Sequence, residues 1–200
     1  MRVAFGLKAH SGWSALVVAG IRDGEIQVID RRRIELVDAA DAASAKQPYH
    51  AAEGLDAEAA RDLVSRGVAA ARRAAVKEMR AAIERSRLSR HLVATSAVLV
   101  PEPMPAWSVD EILAVHFRMH KAEGALFPDA LVRAALACGL NVVTIPEKQL
   151  EERAERALAT PIGALTKRVE TLKKTVGAPW GKDQKNATLA AVIALHGCGD

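Results

Sequence analysis

The sequence predicts an α/β domain with a mixed sheet of about five strands flanked by helices. Three apolar runs near the amino terminus, separated by short turns, predict an antiparallel meander. Two later runs of strand length each lie between helical patterns, which predicts parallel strands joined by helical crossovers. Of the 200 residues, 50% are hydrophobic and 26% are charged, so the chain has enough apolar material for a full core.

The meander is predicted from apolar runs that alternate with turn residues. The apolar runs are residues 3–7, 13–19 and 26–37. The turns between them are Ser11-Gly12 and Asp23-Gly24. Asp-Gly between two apolar runs is a strong hairpin signal. Residues 38–54 show no periodicity, and we expect a loop there that contains a polar patch, residues 46–50.

Helical patterns dominate the remainder, and two short strands interrupt them. We expect a long helix from Asp56 into the 80s, a strand over 92–100, a helix from Ser108 to Ala137 that breaks near Pro128, and a strand over 141–145. Three further helices are expected over residues 147–158, 160–176 and 183–195. Ser108 and Glu111 form a capping box. We expect residues 1–158 to form the core of the fold, with the helices of residues 159–200 packed on it.

Composition excludes several classes of protein. Cys138 and Cys198 are far apart and form no CxxC pair, so we do not expect a structural zinc site. We expect both cysteines to be reduced thiols of a cytoplasmic protein. There is no signal-peptide pattern and no apolar stretch of membrane-spanning length. Phosphate-loop, dinucleotide-binding, nucleophile-elbow and zincin motifs are absent.

Residues 118–150 resemble a helix-strand passage of Holliday-junction resolvases of the RuvC type. The residues that carry the resemblance are Gly124, Gly139-Leu140-Asn141-Val142, Pro146 and Lys148. Residues 182–196 are similar to the final resolvase helix, and Glu102 after the strand at 98–100 is similar to the glutamate of the family's fourth strand. The resemblance implies a ribonuclease H-like fold, closest to the RuvC type, with metal-dependent nuclease chemistry as the ancestral activity.

Two departures from the resolvase pattern bear on that chemistry. The family's first strand carries an aspartate where this chain has Lys8, in Phe5-Gly6-Leu7-Lys8. The last helix of the family carries an acidic pair, whereas here Asp183 is followed by Asn186. Two-metal cleavage needs several carboxylates to hold two cations about 4 Å apart. We therefore expect an incomplete catalytic set, in which the remaining catalytic candidates are Glu102, Glu123 and Asp183.

A second candidate site lies on the helix after Ser108. His116, His120 and Glu123 lie within about 60° of one another on a helical wheel, so they share a face and could hold a divalent metal such as Mg²⁺ or Mn²⁺. The same face carries Ile112, so we expect it to point inward. The alternative interpretation is two packed histidines with Glu123 as their hydrogen-bonding partner.

Basic and aromatic residues suggest a nucleic-acid surface. Candidates lie in the first strand and its turn, in the third strand and near the carboxyl terminus: Lys8, His10, Arg31, Arg33, Trp180, Lys182 and Lys185. Residues 72–90 add seven basic residues to a net charge of +4. Solvated faces of a strand and a helix are the alternative interpretation.

Three functions remain open on this reading. The first is a non-catalytic ribonuclease H-like domain that binds nucleic acid. The second is a metal-dependent phosphodiesterase with a site rearranged around Glu102, His116, His120, Glu123 and Asp183. The third is an oligomeric scaffold, such as a homodimer, held by alanine-rich helices. The role of the patch at residues 46–50 is left open.

Overall fold

A mixed five-stranded sheet forms the centre of the computed structural model, which describes residues 1–37 and 42–198. The strands are β1 (Arg2–His10), β2 (Trp13–Arg22), β3 (Glu25–Glu35), β4 (Leu92–Val100) and β5 (Asn141–Pro146). Their order across the sheet is β3-β2-β1-β4-β5. The pairs β1–β2 and β2–β3 are antiparallel, and β1–β4 and β4–β5 are parallel, which confirms the predicted fold class.

Helices cover both faces of the sheet. In chain order they are α1 (Ala42–Lys46), α2 (Pro48–Ala51), α3 (Ala57–Leu88), α4 (Val109–Leu113), α5 (His116–Ala137), α6 (Leu150–Leu158), α7 (Ile162–Thr171), α8 (Lys173–Val176) and α9 (Lys182–Gly197). One core lies between the sheet and the helices α3 and α5. The other lies between the sheet and the helices α6, α7 and α9.

Side chains of β1 alternate between these two cores. Phe5 and Leu7 lie in the α3–α5 core, whereas Ala4 lies in the α9 core. Because the side-chain period of a strand is two, Lys8 and His10 are on the α9 face of β1.

Gly6 explains how closely α9 approaches β1. A Cβ atom at Gly6 would lie 1.7 Å from the backbone oxygen of Ala187 in α9, a distance that no side chain tolerates. The absence of a side chain at Gly6 therefore lets α9 rest directly on the strand. As a result, the first turn of α9 lies beside the carboxyl end of β1.

Three expectations about the helices are wrong. Residues 38–54 were expected to form a loop, but the described part of this segment contains the short helices α1 and α2; residues 38–41 lie outside the described residues. The region 160–176 divides into α7 and α8. The break expected near Pro128 occurs at Val115, whose extended backbone (φ −140°, ψ 113°) separates α4 from α5.

Pro128 lies within α5 without ending it. A proline has no N–H to donate to the carbonyl four residues earlier, so the helix forgoes one hydrogen bond there. Pro128 and its neighbour Phe127 are both buried, and packing of this turn against the core offsets that loss.

No helix in the described ranges is long and apolar enough to cross a membrane. Cys138 and Cys198 are both free thiols.

Candidate functional site

The carboxyl ends of the parallel strands β1, β4 and β5 meet at one edge of the sheet, which we call the cleft edge. Ligands of α/β sheets commonly bind beside such ends. At this edge the Lys8 ammonium forms an ion pair with the carboxylate of Glu147, the first residue after β5. The Lys8 side chain is only 14% exposed, so its ammonium group is largely shielded from solvent.

A stack of rings and a guanidinium continues the cleft edge toward β2 and β3. The rings of His10 and Trp13 are parallel to within 15°, with centroids 4.4 Å apart. The Arg33 guanidinium lies 4.1 Å from the centroid of the Trp13 ring, in a cation–π contact. His10 Nε2 lies 3.0 Å from Asp183 Oδ2, in the first turn of α9.

Each acidic residue of the cleft edge has a lysine or histidine partner. Glu147 pairs with Lys8, Asp183 with His10, and Glu102 with Lys148 at 4.0 Å. Within residues 1–37 and 42–198, the one group of side chains close enough to hold a metal ion contains none of these acids. The cleft edge therefore shows no carboxylate cluster of the kind that two-metal chemistry uses.

Several predicted nucleic-acid contacts have structural partners instead. Arg31 donates hydrogen bonds to the backbone oxygens of Val176, Ala178 and Pro179. Trp180 is only 7% exposed, and its Nε1 donates a 2.8 Å hydrogen bond to the backbone oxygen of Val169. Arg31 and Trp180 thus hold the segment before α9 against the sheet and the helical layer.

The two predicted lysines at the start of α9 differ in their surroundings. The Lys185 ammonium forms an ion pair with Glu170. Lys182 is exposed at the first position of the helix and, in the described part of the chain, has no ion-pair partner. Lys182 is therefore the predicted contact that is best placed to meet a ligand. Arg33 is also exposed, but it forms a 2.6 Å ion pair with Glu35.

A row of cations lies on the outer side of α3. Arg73, Lys77 and Arg80 are exposed at helical spacing, and none has an acidic partner among the residues that the structure describes. We call this row the α3 stripe. Its neighbour Arg72 differs, since it pairs with Asp129 of α5 at 3.1 Å.

Three histidines meet on the α3–α5 side of the sheet, where α2 packs against the start of α5. The ligand atoms of His50, His116 and His120 all lie within 4.8 Å of one another. Nε2 of His116 lies 3.0 Å from Nε2 of His120. The ring centroid of His50 lies 4.8 Å from that of His120 and 5.5 Å from that of His116. We call these residues the histidine cluster.

Glu123 lies behind the histidine cluster rather than in it. Its side chain is almost fully buried, and Oε1 accepts hydrogen bonds from the backbone N–H groups of Tyr49 (2.7 Å) and His50 (3.2 Å). Burial raises the pKa of the Glu123 carboxyl, and the hydrogen bonds from His50 and Tyr49 oppose that rise. The carboxylate therefore anchors α2 to α5.

The expected trio of His116, His120 and Glu123 is thus only partly assembled, because His50 takes the third place. The expectation that this face points inward is wrong for both histidines of α5, which are exposed. His50 was missed because a segment without periodicity carries no signal for where it docks. The only hint in the sequence was the polar patch that contains it.

No protein-family model matches the chain, and no curated protein matches it. Solved structures do. The structure of T. thermophilus RuvC in complex with Holliday junction substrate matches with a TM-score of 0.50 and 12% identity, over 98% of this chain and 94% of that chain. The fold is ribonuclease H-like. A second Thermus thermophilus RuvC structure matches with a TM-score of 0.51 and 12% identity, over 97% of this chain and 93% of that chain.

The mixed five-stranded sheet with helices on both faces is consistent with this fold. At 12% identity the likeness shows the fold and assigns no role to any residue. The roles of side chains at the cleft edge and in the histidine cluster therefore depend on their own geometry.

Proposed function

We propose that this chain is a nucleic-acid-binding domain whose ribonuclease H-like cleft edge does not carry two-metal cleavage. The observation that carries the proposal is the ion pair between Lys8 and Glu147. By the sequence resemblance, Lys8 stands at the strand position where the resolvase pattern has an aspartate.

The electrostatics of Lys8 oppose a metal at this position. Two unit charges about 4 Å apart interact by roughly 4 kcal/mol at the effective dielectric constant of a protein surface, and a divalent ion feels twice that repulsion. Glu147 offsets the charge of Lys8, but it is then no longer an independent metal ligand. Asn186 adds no charge on α9.

Nucleic-acid binding is supported by two kinds of surface. The similar RuvC structure was solved with a Holliday junction substrate. In this chain, Trp13 stacks with His10 and with Arg33 beside the cleft edge. The Arg33 side chain is more than half exposed although it pairs with Glu35, so its guanidinium can reach a phosphate. The α3 stripe adds cations without acidic partners in the described structure.

Fluorescence anisotropy with a labelled four-way DNA junction, and with a duplex of matched length, tests the binding. We expect affinity to fall steeply as KCl rises, because phosphate contacts release counterions. Arg33→Gln should weaken binding, whereas Arg156→Gln, which removes an exposed arginine paired with Glu152 on α6, should not. Absence of binding at low salt, or affinity that does not change with salt, would overturn the proposal.

Cleavage is tested on the same junction with Mg²⁺ and with Mn²⁺. We expect no product above the metal-free background. Metal-dependent product that disappears in Asp183→Asn would show that the cleft edge is catalytic after all.

The alternative phosphodiesterase built from five predicted residues finds less support. His116 and His120 lie beside His50, while Glu102 lies beside Lys148 and Asp183 beside His10, away from those three rings. A bound Mg²⁺ or Mn²⁺ ion stays a prediction. The described residues contain no cluster of carboxylates close enough together to hold it.

Self-association also stays a prediction. Leu88, Leu92 and Leu136 are exposed where α3 ends, β4 begins and α5 ends. Light scattering on the purified chain would give the mass in solution, and a strict monomer would remove the homodimer.

A further inference from the structure

We propose that the histidine cluster, His50 with His116 and His120, is a binding site for a transition-metal ion of the Zn²⁺ class. The site lies on the α3–α5 side of the sheet, and it shares no residue with the ion pairs and the stack of the cleft edge. It therefore stands or fails independently of nucleic-acid binding.

The spacing of the ring nitrogens fits such an ion. Zn–N bonds of about 2.0–2.1 Å in tetrahedral geometry place two ligand nitrogens roughly 3.3 Å apart. Nε2 of His116 and Nε2 of His120 are 3.0 Å apart, and the ligand atoms of all three residues lie within 4.8 Å of one another. Small rotations of the rings would bring the nitrogens around one ion.

Two elements of secondary structure supply the ligands. His116 and His120 are one helical turn apart in the first turns of α5, so their rings project from the same face. His50 comes from α2, which packs across that face. A bound ion would therefore link α2 to α5.

The type of ligand selects the type of metal. Neutral imidazole suits Zn²⁺, Cu²⁺ and Ni²⁺, whereas Mg²⁺ and Mn²⁺ prefer oxygen ligands. His116 and His120 are exposed, so the ion would be open to solvent and would keep water as a fourth ligand. This arrangement differs from the Mg²⁺ or Mn²⁺ ion on His116, His120 and Glu123 that the sequence suggested.

Glu123 provides the supporting contact that metal-binding histidines commonly have. Its Oε1 lies 3.5 Å from Nδ1 of His50, and this nitrogen has no hydrogen-bond partner in the described structure. A small shift of the ring would let Nδ1–H donate to Oε1 and leave Nε2 able to bind a cation. Its Oε2 is buried and accepts no hydrogen bond in the described structure. A buried carboxylate with an unused oxygen beside three histidines favours a positive charge at this place.

Titration of the full chain, free of any affinity tag and treated with a chelator, tests the site. Isothermal titration with Zn²⁺ should saturate at one ion per chain, and Zn²⁺ should raise the Tm in a concentration-dependent way. Co²⁺ should give visible absorption bands of a four- or five-coordinate ion, and added imidazole should shift them by replacing water.

Variants separate this site from adventitious binding. His50→Gln, His116→Gln and His120→Gln should each lower Zn²⁺ affinity at least about 10-fold and remove the Co²⁺ bands. His196→Gln, an exposed histidine outside the histidine cluster, should behave as wild type. Each variant is compared by circular dichroism, so loss of binding in a folded protein can be recognised. The proposal is wrong if wild type binds less than one ion, or if the cluster variants bind as wild type does.

Discussion

Oε1 of Glu123 in α5 accepts a 2.7 Å hydrogen bond from the backbone N–H of Tyr49 in α2. A second bond, 3.2 Å long, comes from the N–H of His50. These two bonds satisfy backbone donors that the short helix α2 leaves free at its start. One side chain thus holds a four-residue helix in position on a long one.

This relationship predicts different effects for two substitutions of Glu123. Glu123→Ala leaves both N–H groups without an acceptor in a partly buried place, so the free energy of unfolding should fall by about 2 kcal/mol. Glu123→Gln keeps a side-chain oxygen and should lose much less. Urea unfolding of the metal-free chain measures both. Equal losses would show that the side-chain acceptor is not what matters.

Glu123→Gln should also weaken the metal site while leaving its three ligands in place. Removing a carboxylate that supports a ligating histidine commonly costs about 10–100-fold in metal affinity. We expect that loss for Zn²⁺ in isothermal titration, with only a small change in the Tm of the metal-free protein. Unchanged Zn²⁺ affinity would show that Glu123 does not position His50, but it would not contradict the assignment of the three histidines as ligands.

Charge reversal tests the ion pair at the cleft edge. Lys8→Glu places two acids opposite each other and should lower the free energy of unfolding by about 1 kcal/mol or more, because repulsion replaces attraction. Adding Glu147→Lys should recover part of that loss. The coupling energy from denaturant unfolding of all four proteins is the measurement. A coupling energy of zero would mean that the two side chains do not interact in solution.

The close approach of α9 to β1 makes Gly6 sensitive to substitution. Gly6→Ala would push its Cβ into the backbone of Ala187, and we expect a loss of about 3 kcal/mol or failure to fold. Gly163→Ala in α7 is the matched control, since a Cβ there meets nothing within 4 Å. That control should raise stability by about 0.5–1 kcal/mol. Thermal unfolding compares the two, and similar Tm values would refute the close packing.

The α3 stripe predicts a specific salt dependence. Each phosphate contact contributes about 0.9 to the slope of log affinity against log salt on duplex DNA. The triple variant Arg73→Gln, Lys77→Gln and Arg80→Gln should therefore reduce that slope by as much as about 2.7. An unchanged slope in anisotropy titrations would place the nucleic acid elsewhere on the protein.

The fold was predictable because its signals are local. The Asp23-Gly24 turn pairs β2 with β3, as its sequence indicates. The predicted capping box of Ser108 and Glu111 is present at the start of α4. The uninterrupted passage of α5 through Pro128 was not predictable, because buried packing outweighs the local preference there.

The candidate sites were predictable only in part, because only some of their contacts depend on local sequence. The spacing of His116 and His120 places them together in any α-helix. The arrival of His50 depends on how α2 docks, which is a tertiary relationship with no local signal. Likewise, the partners of Lys8 and His10 come from the end of β5 and the start of α9, far away in the sequence.

The seating of α9 on β1 has a consequence for biosynthesis. β1 leaves the ribosome well before α9, which covers one of its faces, because all the other strands and helices described above lie between them in the chain. Until then the buried side of β1 that carries Ala4 has no permanent cover, and chains that are still growing expose apolar surface that chaperones recognise. Ribosomes stalled before residue 182 should therefore carry a nascent chain that is more sensitive to protease than the released protein.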